Sequence, residues 1–185
     1  MTTDELRDAI REHAYLEGDF VLRSGRRSNY YLDKYRFETR PDLLEAIGAR
    51  IADHVAEHEP EAARLAGPEL GAVALVAATS LASGLPFLIV RKEAKGYGPG
   101  NRLEGVFEAG ERICLVEDVV TSGGAALAAV AALREAGLEC RTAVCVVDRE
   151  EGGVDELARH GVRLRALFRA ADLLALEKLP QKPHG

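Results

Sequence analysis

Apolar residues in the stretch 4–15 fall at helical spacing, with Leu6, Ile10 and Tyr15 near one face and charges between them, which predicts an amphipathic helix. Two short apolar runs follow, Phe20-Val21-Leu22 and Tyr30-Tyr31-Leu32. They flank the turn-forming Ser24-Gly25-Arg26-Arg27 and predict a hairpin, a small hood at the start of the chain. Pro41 suits a first helical turn, so a second helix is expected over 42–58. Beyond Arg64 the pattern changes to short continuous apolar runs alternating with helices. Strands are expected at Leu65-Ala66, 87–90, 112–116, 142–147 and 162–168, and helices over 71–82, 125–136, 154–160 and 172–177. Unbroken apolar strands separated by helices imply a parallel sheet covered on both faces. The expected fold is an open doubly wound α/β sheet in one domain over 1–185, with hood elements in about 1–40 and the core in about 41–185.

Composition narrows the setting. Hydrophobic residues at 47% and charged residues at 29% describe a chain that folds around a core. The start of the sequence lacks the basic, apolar pattern of a signal peptide, and no stretch is apolar enough to span a bilayer, so a cytoplasmic protein without membrane partners is expected. A formal net charge of −6 argues against nucleic acid as a partner and makes any basic cluster a local anion site. Cys114, Cys140 and Cys145 lack metal or disulfide spacing and are expected to be buried thiols. The histidines, His13, His54, His58, His160 and His184, fall on helices or in the polar tail and are expected at the surface.

The most informative stretch is Ile113-Cys114-Leu115-Val116-Glu117-Asp118-Val119-Val120-Thr121-Ser122-Gly123-Gly124-Ala125. An apolar strand ends in two carboxylates, and a hydroxyl-glycine turn opens a helix. In open α/β sheets ligands bind beyond the carboxyl ends of strands. Hydroxyls, uncovered amides and the positive end of a helix dipole suit a phosphate. Glu117 and Asp118 suit a neighbouring vicinal diol, and the pair of features describes a ribose 5-phosphate. The stretch is not a Walker A loop, and the nucleotide-kinase reading loses most of its support.

This segment resembles the signature of the type I phosphoribosyltransferases, which bind 5-phosphoribosyl 1-diphosphate (PRPP). The resemblance implies PRPP contacts from Glu117, Asp118, Val119, Val120, Thr121, Ser122, Gly123, Gly124 and Ala125. A second stretch, Arg91-Lys92-Glu93-Ala94-Lys95-Gly96-Tyr97-Gly98, is basic and glycine-rich directly after a strand. It reads as a loop able to fold over a polyanion such as pyrophosphate. It resembles the catalytic loop of orotate phosphoribosyltransferases, which implies that Arg91, Lys92, Lys95 and Tyr97 meet PRPP and that Lys95 stabilises the departing pyrophosphate. Many members have His where this chain has Tyr97, and Tyr does not readily carry positive charge near neutral pH. The resemblance also implies a homodimer in which the 91–105 loop is shared between subunits.

The hood stretch carrying Arg23, Ser24, Gly25, Ser28, Tyr30 and Tyr31 resembles the hood of the same enzymes, with Arg23 in place of the common lysine. By that pattern Arg23, Tyr30 and Tyr31 border the orotate pocket, and Thr121 contributes from the turn. Asp148-Arg149-Glu150-Glu151-Gly152 follows a strand and matches the segment whose arginine contacts orotate; an arginine can grip a carboxylate in two places. In Gly67-Pro68-Glu69-Leu70-Gly71, Leu70 stands where some members have lysine, so only backbone contacts carry over.

The implied reaction transfers ribose 5-phosphate from PRPP to orotate, giving orotidine 5′-monophosphate and pyrophosphate in UMP synthesis. Lys95, Glu117 and Asp118 are its expected catalytic residues. Mg²⁺ is the expected cofactor, held mainly through PRPP rather than by direct protein ligands. Two rivals share the PRPP turn: a phosphoribosyltransferase for a purine or another base, and a non-catalytic regulator that senses PRPP or a base.

Overall fold

The computed structural model describes residues 1–21, 25, 27–93 and 102–174. The first helix, α1 (Thr3–Ala14), starts where Thr2 and Glu5 close a reciprocal capping box, and it buries Leu6, Ile10 and Ala14. It ends one residue before the pattern suggested, because Tyr15 pairs with Leu32 and opens β1 (Tyr15–Val21) against β2 (Arg27–Leu32). The hood hairpin is therefore longer than its apolar runs. A short helix, α2 (Tyr35–Glu38), gives no sequence signal of its own and leads into α3 (Pro41–His58), which has proline in its first turn.

The main sheet contains β3 (Arg64–Pro68), β4 (Phe87–Val90), β5 (Leu103–Glu104), β6 (Arg112–Val120), β7 (Glu139–Asp148) and β8 (Arg163–Arg169) in the order β5-β4-β3-β6-β7-β8. Its helices are α4 (Ala72–Ser83), α5 (Gly124–Glu135), α6 (Gly153–Arg159) and α7 (Ala170–Leu174). The rest of the closing helix expected over 172–177 lies outside the described residues. All pairings are parallel except β4 with β5. The sheet is thus mixed at one edge, where a two-residue strand too short to show periodicity returns against Ile89 and Val90.

Side-chain alternation splits the core in two. Cys114 and Val116 of β6 join Leu6, Ile10, Ile47 and Ile51 on one face, while Ile113 and Leu115 join Ala129, Leu133 and Leu157 on the other. Each fully buried Leu or Ile contributes about 1.5–3 kcal/mol. Close helix approach on the first face depends on Gly48 of α3, where a Cβ would come within 2.8 Å of the Ala78 carbonyl carbon. The three thiols are buried in these cores. At the amino ends of the strands, Arg64 grips Glu111 through two bonds of 2.6 and 3.0 Å, and the buried Glu59 accepts the Thr142 hydroxyl at 2.6 Å.

Chain direction across the sheet reverses between β3 and β6, since α4 carries β3 outward to β4 while α5 and α6 carry β6 the other way to β7 and β8. A crevice at their carboxyl ends is the consequence. Among the histidines, His160 is exposed, whereas His54 is half-buried, edge-on to His58 at 5.5 Å, and held below its ordinary pKa first by burial and then by the neighbouring His58. The surface expectation is corrected there: α3 turns His54 partly inward. His184 lies outside the described residues.

Candidate active site

Strand β6 runs four residues beyond its expected end, because Val119 and Val120 continue the ladder with Val147 and Asp148 of β7. Glu117 and Asp118 are thereby strand residues, nearly buried rather than waving in a turn. Burial first, and the Asp118 charge second, push the Glu117 carboxyl up to about 8, with Lys34 acting in the opposite direction. One Glu117 oxygen is buried without a hydrogen-bond partner.

The turn that follows is exposed at Thr121, Ser122, Gly124 and Ala125. Gly123 adopts φ +86°, which a side chain rarely tolerates, and its carbonyl accepts the first helical bond of α5 from the Leu127 amide at 2.9 Å. Two supports brace the turn from beside it. The Arg149 amide donates to the Val120 carbonyl at 2.8 Å, and Gly153 opens α6 so closely that a Cβ would lie 2.6 Å from the Thr121 carbonyl oxygen. The amides of a helix's first turn have no partner within the helix, so the turn presents donors and hydroxyls to the crevice.

Tyr30 and Tyr31, adjacent in β2, point to opposite faces of the hairpin. Tyr30 is half-buried and stacks on Tyr15, with centroids 5.5 Å apart, and Arg149 lies over its ring at 4.8 Å. Tyr31 packs against Phe20 at 5.6 Å and is 43% exposed. Of the expected orotate-side pair, only Tyr30 meets Arg149. The period of two along a strand is enough to draw this distinction. The Arg149 side chain is 8% exposed, pairs with Glu151 at 3.2 Å, and keeps its buried Nε without a partner.

At the other wall, Glu69 reaches from the segment after β3 to accept the Lys92 amide at 2.7 Å, and it lies 3.9 Å from Arg91 Nε. Arg91 also bonds Glu104 at 3.3 Å, and its backbone pairs with Arg102. This closes the stem of the 91–105 segment. Lys95 and Tyr97 lie outside the described residues, as does Arg23 of the hood.

Three residues escaped sequence reasoning: Lys34, Glu38 and Glu69. Lys34 donates to Asp118 across 84 positions of sequence. Burial alone would lower the ammonium pKa, but the bond and the charge of Asp118 outweigh it and the pKa is raised. Glu38 is buried with one oxygen unpartnered, and its carboxyl is pushed up to about 8, first by burial and then by Asp118.

A hydroxyl-glycine turn below an acidic strand end, set at the point where an α/β sheet reverses, defines a type I phosphoribosyltransferase. Solved structures agree: orotate phosphoribosyltransferase from Aeropyrum pernix superposes with a TM-score of 0.80 at 32% identity, over 95% of this chain and 97% of that one. The Mycobacterium tuberculosis H37Rv orotate phosphoribosyltransferase in complex with PRPP gives 0.78 at 30%, over 92% and 98%. The orotate phosphoribosyltransferase of Methanocella arvoryzae is 51% identical over 85% of this chain and 88% of its own length. The chain belongs to the orotate phosphoribosyltransferase family. No family model matches it. It is accordingly an enzyme of the pentosyltransferase class, and its reaction is that of orotate rather than of a purine base.

Proposed function

We propose that the crevice between β3 and β6 binds PRPP and orotate together, in one phosphoribosyltransferase domain spanning 1–185. The observation that carries this reading is the continuity of Glu117 and Asp118 with the exposed turn of Thr121, Ser122, Gly124 and Ala125. In this arrangement the turn, with the backbone of Val119, Val120 and Gly123, anchors the 5′-phosphate. The carboxylates accept hydrogen bonds from the ribose hydroxyls. Across the crevice Arg149, braced on Tyr30, offers a guanidinium edge to the orotate carboxylate, with Thr121 nearby and Arg23 completing the hood side.

Catalysis then follows from charge. A ring nitrogen of orotate attacks the anomeric carbon, the bond to pyrophosphate breaks, and its electron pair leaves with the pyrophosphate. Positive charge grows on the ribose as negative charge grows on the leaving group. Arg91, Lys92 and Lys95, with Tyr97 as a hydrogen-bonding neighbour, stabilise the latter, and Lys95 carries most of that task. Orotate is already anionic, so no strong general base is required.

Among the described residues no group of three or more His, Cys, Asp or Glu side chains is positioned to hold a metal ion. Magnesium commonly keeps several waters and binds through substrate phosphates, so an ion carried in on PRPP fits this donor set. When bound, Mg²⁺ supplies added neutralisation of the pyrophosphate charge.

We further assign the enzyme to UMP synthesis in the cytoplasm, as a homodimer that shares the 91–105 loop between subunits. No helix among the described residues is long and apolar enough to cross a membrane. The test is to mix protein, PRPP, Mg²⁺ and orotate and follow the loss of orotate absorbance, with adenine, hypoxanthine and uracil in parallel and Lys95→Ala as control. Orotate-dependent turnover that collapses in the control is expected. Turnover with another base alone would sink the substrate assignment, and ligand binding without turnover would favour a regulator.

A further inference from the structure

Where the hood rejoins the core, Lys34 extends its ammonium to Asp118 Oδ2. The carboxylate is 7% exposed and the lysine 31%, so the acid is held at the edge of the core by a cation that still reaches solvent. Gly71, at the start of α4, lies directly on the pair: any Cβ there would collide with both Asp118 Oδ2 and Lys34 Nζ, and would lie 3.0 Å from Asp118 Cγ. Three segments distant in sequence, the hood exit, the loop after β3 and the end of β6, therefore meet at one ion pair.

Two further carboxyl groups stand around it. Glu38 follows Lys34 by four residues on the helix entry and is 3% exposed, with Oε1 unpartnered; Glu117 precedes Asp118 and also has a buried, unpartnered Oε1. Lys34 acts favourably on the charged form of both. Three nearly buried acids cannot all stay ionised without a cation, because each charge raises the cost of the next. A carboxylate held in one rotamer presents its free oxygen to a diol in a fixed direction.

We propose that Lys34 is a positioning residue for the ribose half of the substrate: it fixes Asp118 as an ordered acceptor for the ribose hydroxyls. The inference rests on the assignment of this crevice to PRPP. Lys34 acts through Asp118 and is distinct from the cations of the 91–105 segment, which serve the pyrophosphate. Its loss weakens binding of anything that carries the ribose hydroxyls and leaves orotate binding alone.

The experiment compares the wild-type enzyme with Lys34→Met and Lys34→Arg. Steady-state kinetics should show KM for PRPP raised about tenfold or more in Lys34→Met, the scale of one lost charge-assisted hydrogen bond, with KM for orotate and kcat within about twofold. Lys34→Arg should recover most of the loss. Calorimetry with ribose 5-phosphate and with inorganic pyrophosphate separates the roles: ribose 5-phosphate affinity falls in Lys34→Met while pyrophosphate affinity holds. The reverse pattern would overturn the proposal by making Lys34 a pyrophosphate ligand, and unchanged affinities for both would overturn it as well. If the methionine variant does not fold, Lys34→Gln, a neutral donor of similar length, must give the same split between ligands. A wild-type protein that turns over orotate but binds no ribose 5-phosphate would count against Lys34's role. One that binds neither PRPP nor ribose 5-phosphate would count against the assignment of the crevice.

Discussion

Arg149 lies over the ring of Tyr30 with its guanidinium carbon 4.8 Å from the ring centroid. The contact joins the loop after β7 to the hood, and Tyr15 stacks on Tyr30 at 5.5 Å. A guanidinium held against an aromatic face keeps its edge free for a planar carboxylate, and an ammonium can do neither job in the same way. Arg149→Lys is expected to raise KM for orotate by about tenfold to a hundredfold, with a much smaller change in KM for PRPP. Tyr30→Leu should raise the orotate KM by about threefold to tenfold, in line with loss of a cation–π contact. Tyr31→Leu should leave both constants within about twofold, since Tyr31 faces away from Arg149. Equal effects at the two tyrosines would refute the division of the hairpin into faces.

The acid cluster gives the fold a pH signature. Glu38 has its carboxyl at about 8 in the folded chain, above the ordinary 4.5, so the folded state binds its proton more tightly than the unfolded state does. Its contribution to stability is complete below about 4.5 and is lost as pH rises through about 8. Thermal unfolding without ligand should therefore show Tm falling between pH 6 and pH 8.5 on the order expected for two shifted carboxyls, since Glu117 is raised as Glu38 is. Glu38→Gln, which mimics the neutral acid, should reduce that slope to the part due to Glu117 and raise Tm at the alkaline end. A parallel slope in the variant would show that Glu38 does not control it.

Gly153 tests the bracing of the turn. A methyl group there would press on the Thr121 carbonyl oxygen and on Val120 Cγ1, both 2.6 Å from where its carbon would stand. Gly153→Ala should displace the turn and raise KM for PRPP by about tenfold while Tm drops by only a few degrees, the cost of modest overpacking. Inhibition by inorganic phosphate offers an independent reading of the same change and should weaken in step.

Helix packing on the first face of the sheet depends on a missing side chain at position 48. Gly48→Ala should cost about 1–3 kcal/mol, measured by urea unfolding, because the new carbon meets the backbone of α4 rather than a flexible tip. Substrate constants should stay near wild type, since α3 does not line the crevice.

Local chemistry explains which parts of this protein were readable from the sequence. Pro41, the spacing of Leu6 and Ile10, and the run from Ile113 to the glycines of the turn carry their instructions within a few residues. The helix and strand order followed from them, and so did the acidic strand end and the phosphate turn. Lys34 did not, because its partner is Asp118 and nothing periodic links positions 84 residues apart. Glu69 was hidden for the same reason, its hydrogen bond to Lys92 being 23 residues distant. The antiparallel strand β5 was missed because two residues cannot display a pattern. Tyr30 and Tyr31 were separable in principle, since alternation in β2 was enough to divide them.

Burial of all three cysteines has a practical consequence for watching this enzyme work. Burial pushes the thiols of Cys114 and Cys145 far up and that of Cys140 up to about 12, so none presents a reactive thiolate at neutral pH. A single cysteine introduced in place of Leu70, which is 70% exposed beside the crevice, would then take a thiol-directed fluorophore at one position without prior removal of native cysteines. The native chain is already silent toward such reagents, and the arrival of each substrate could be timed from that one dye.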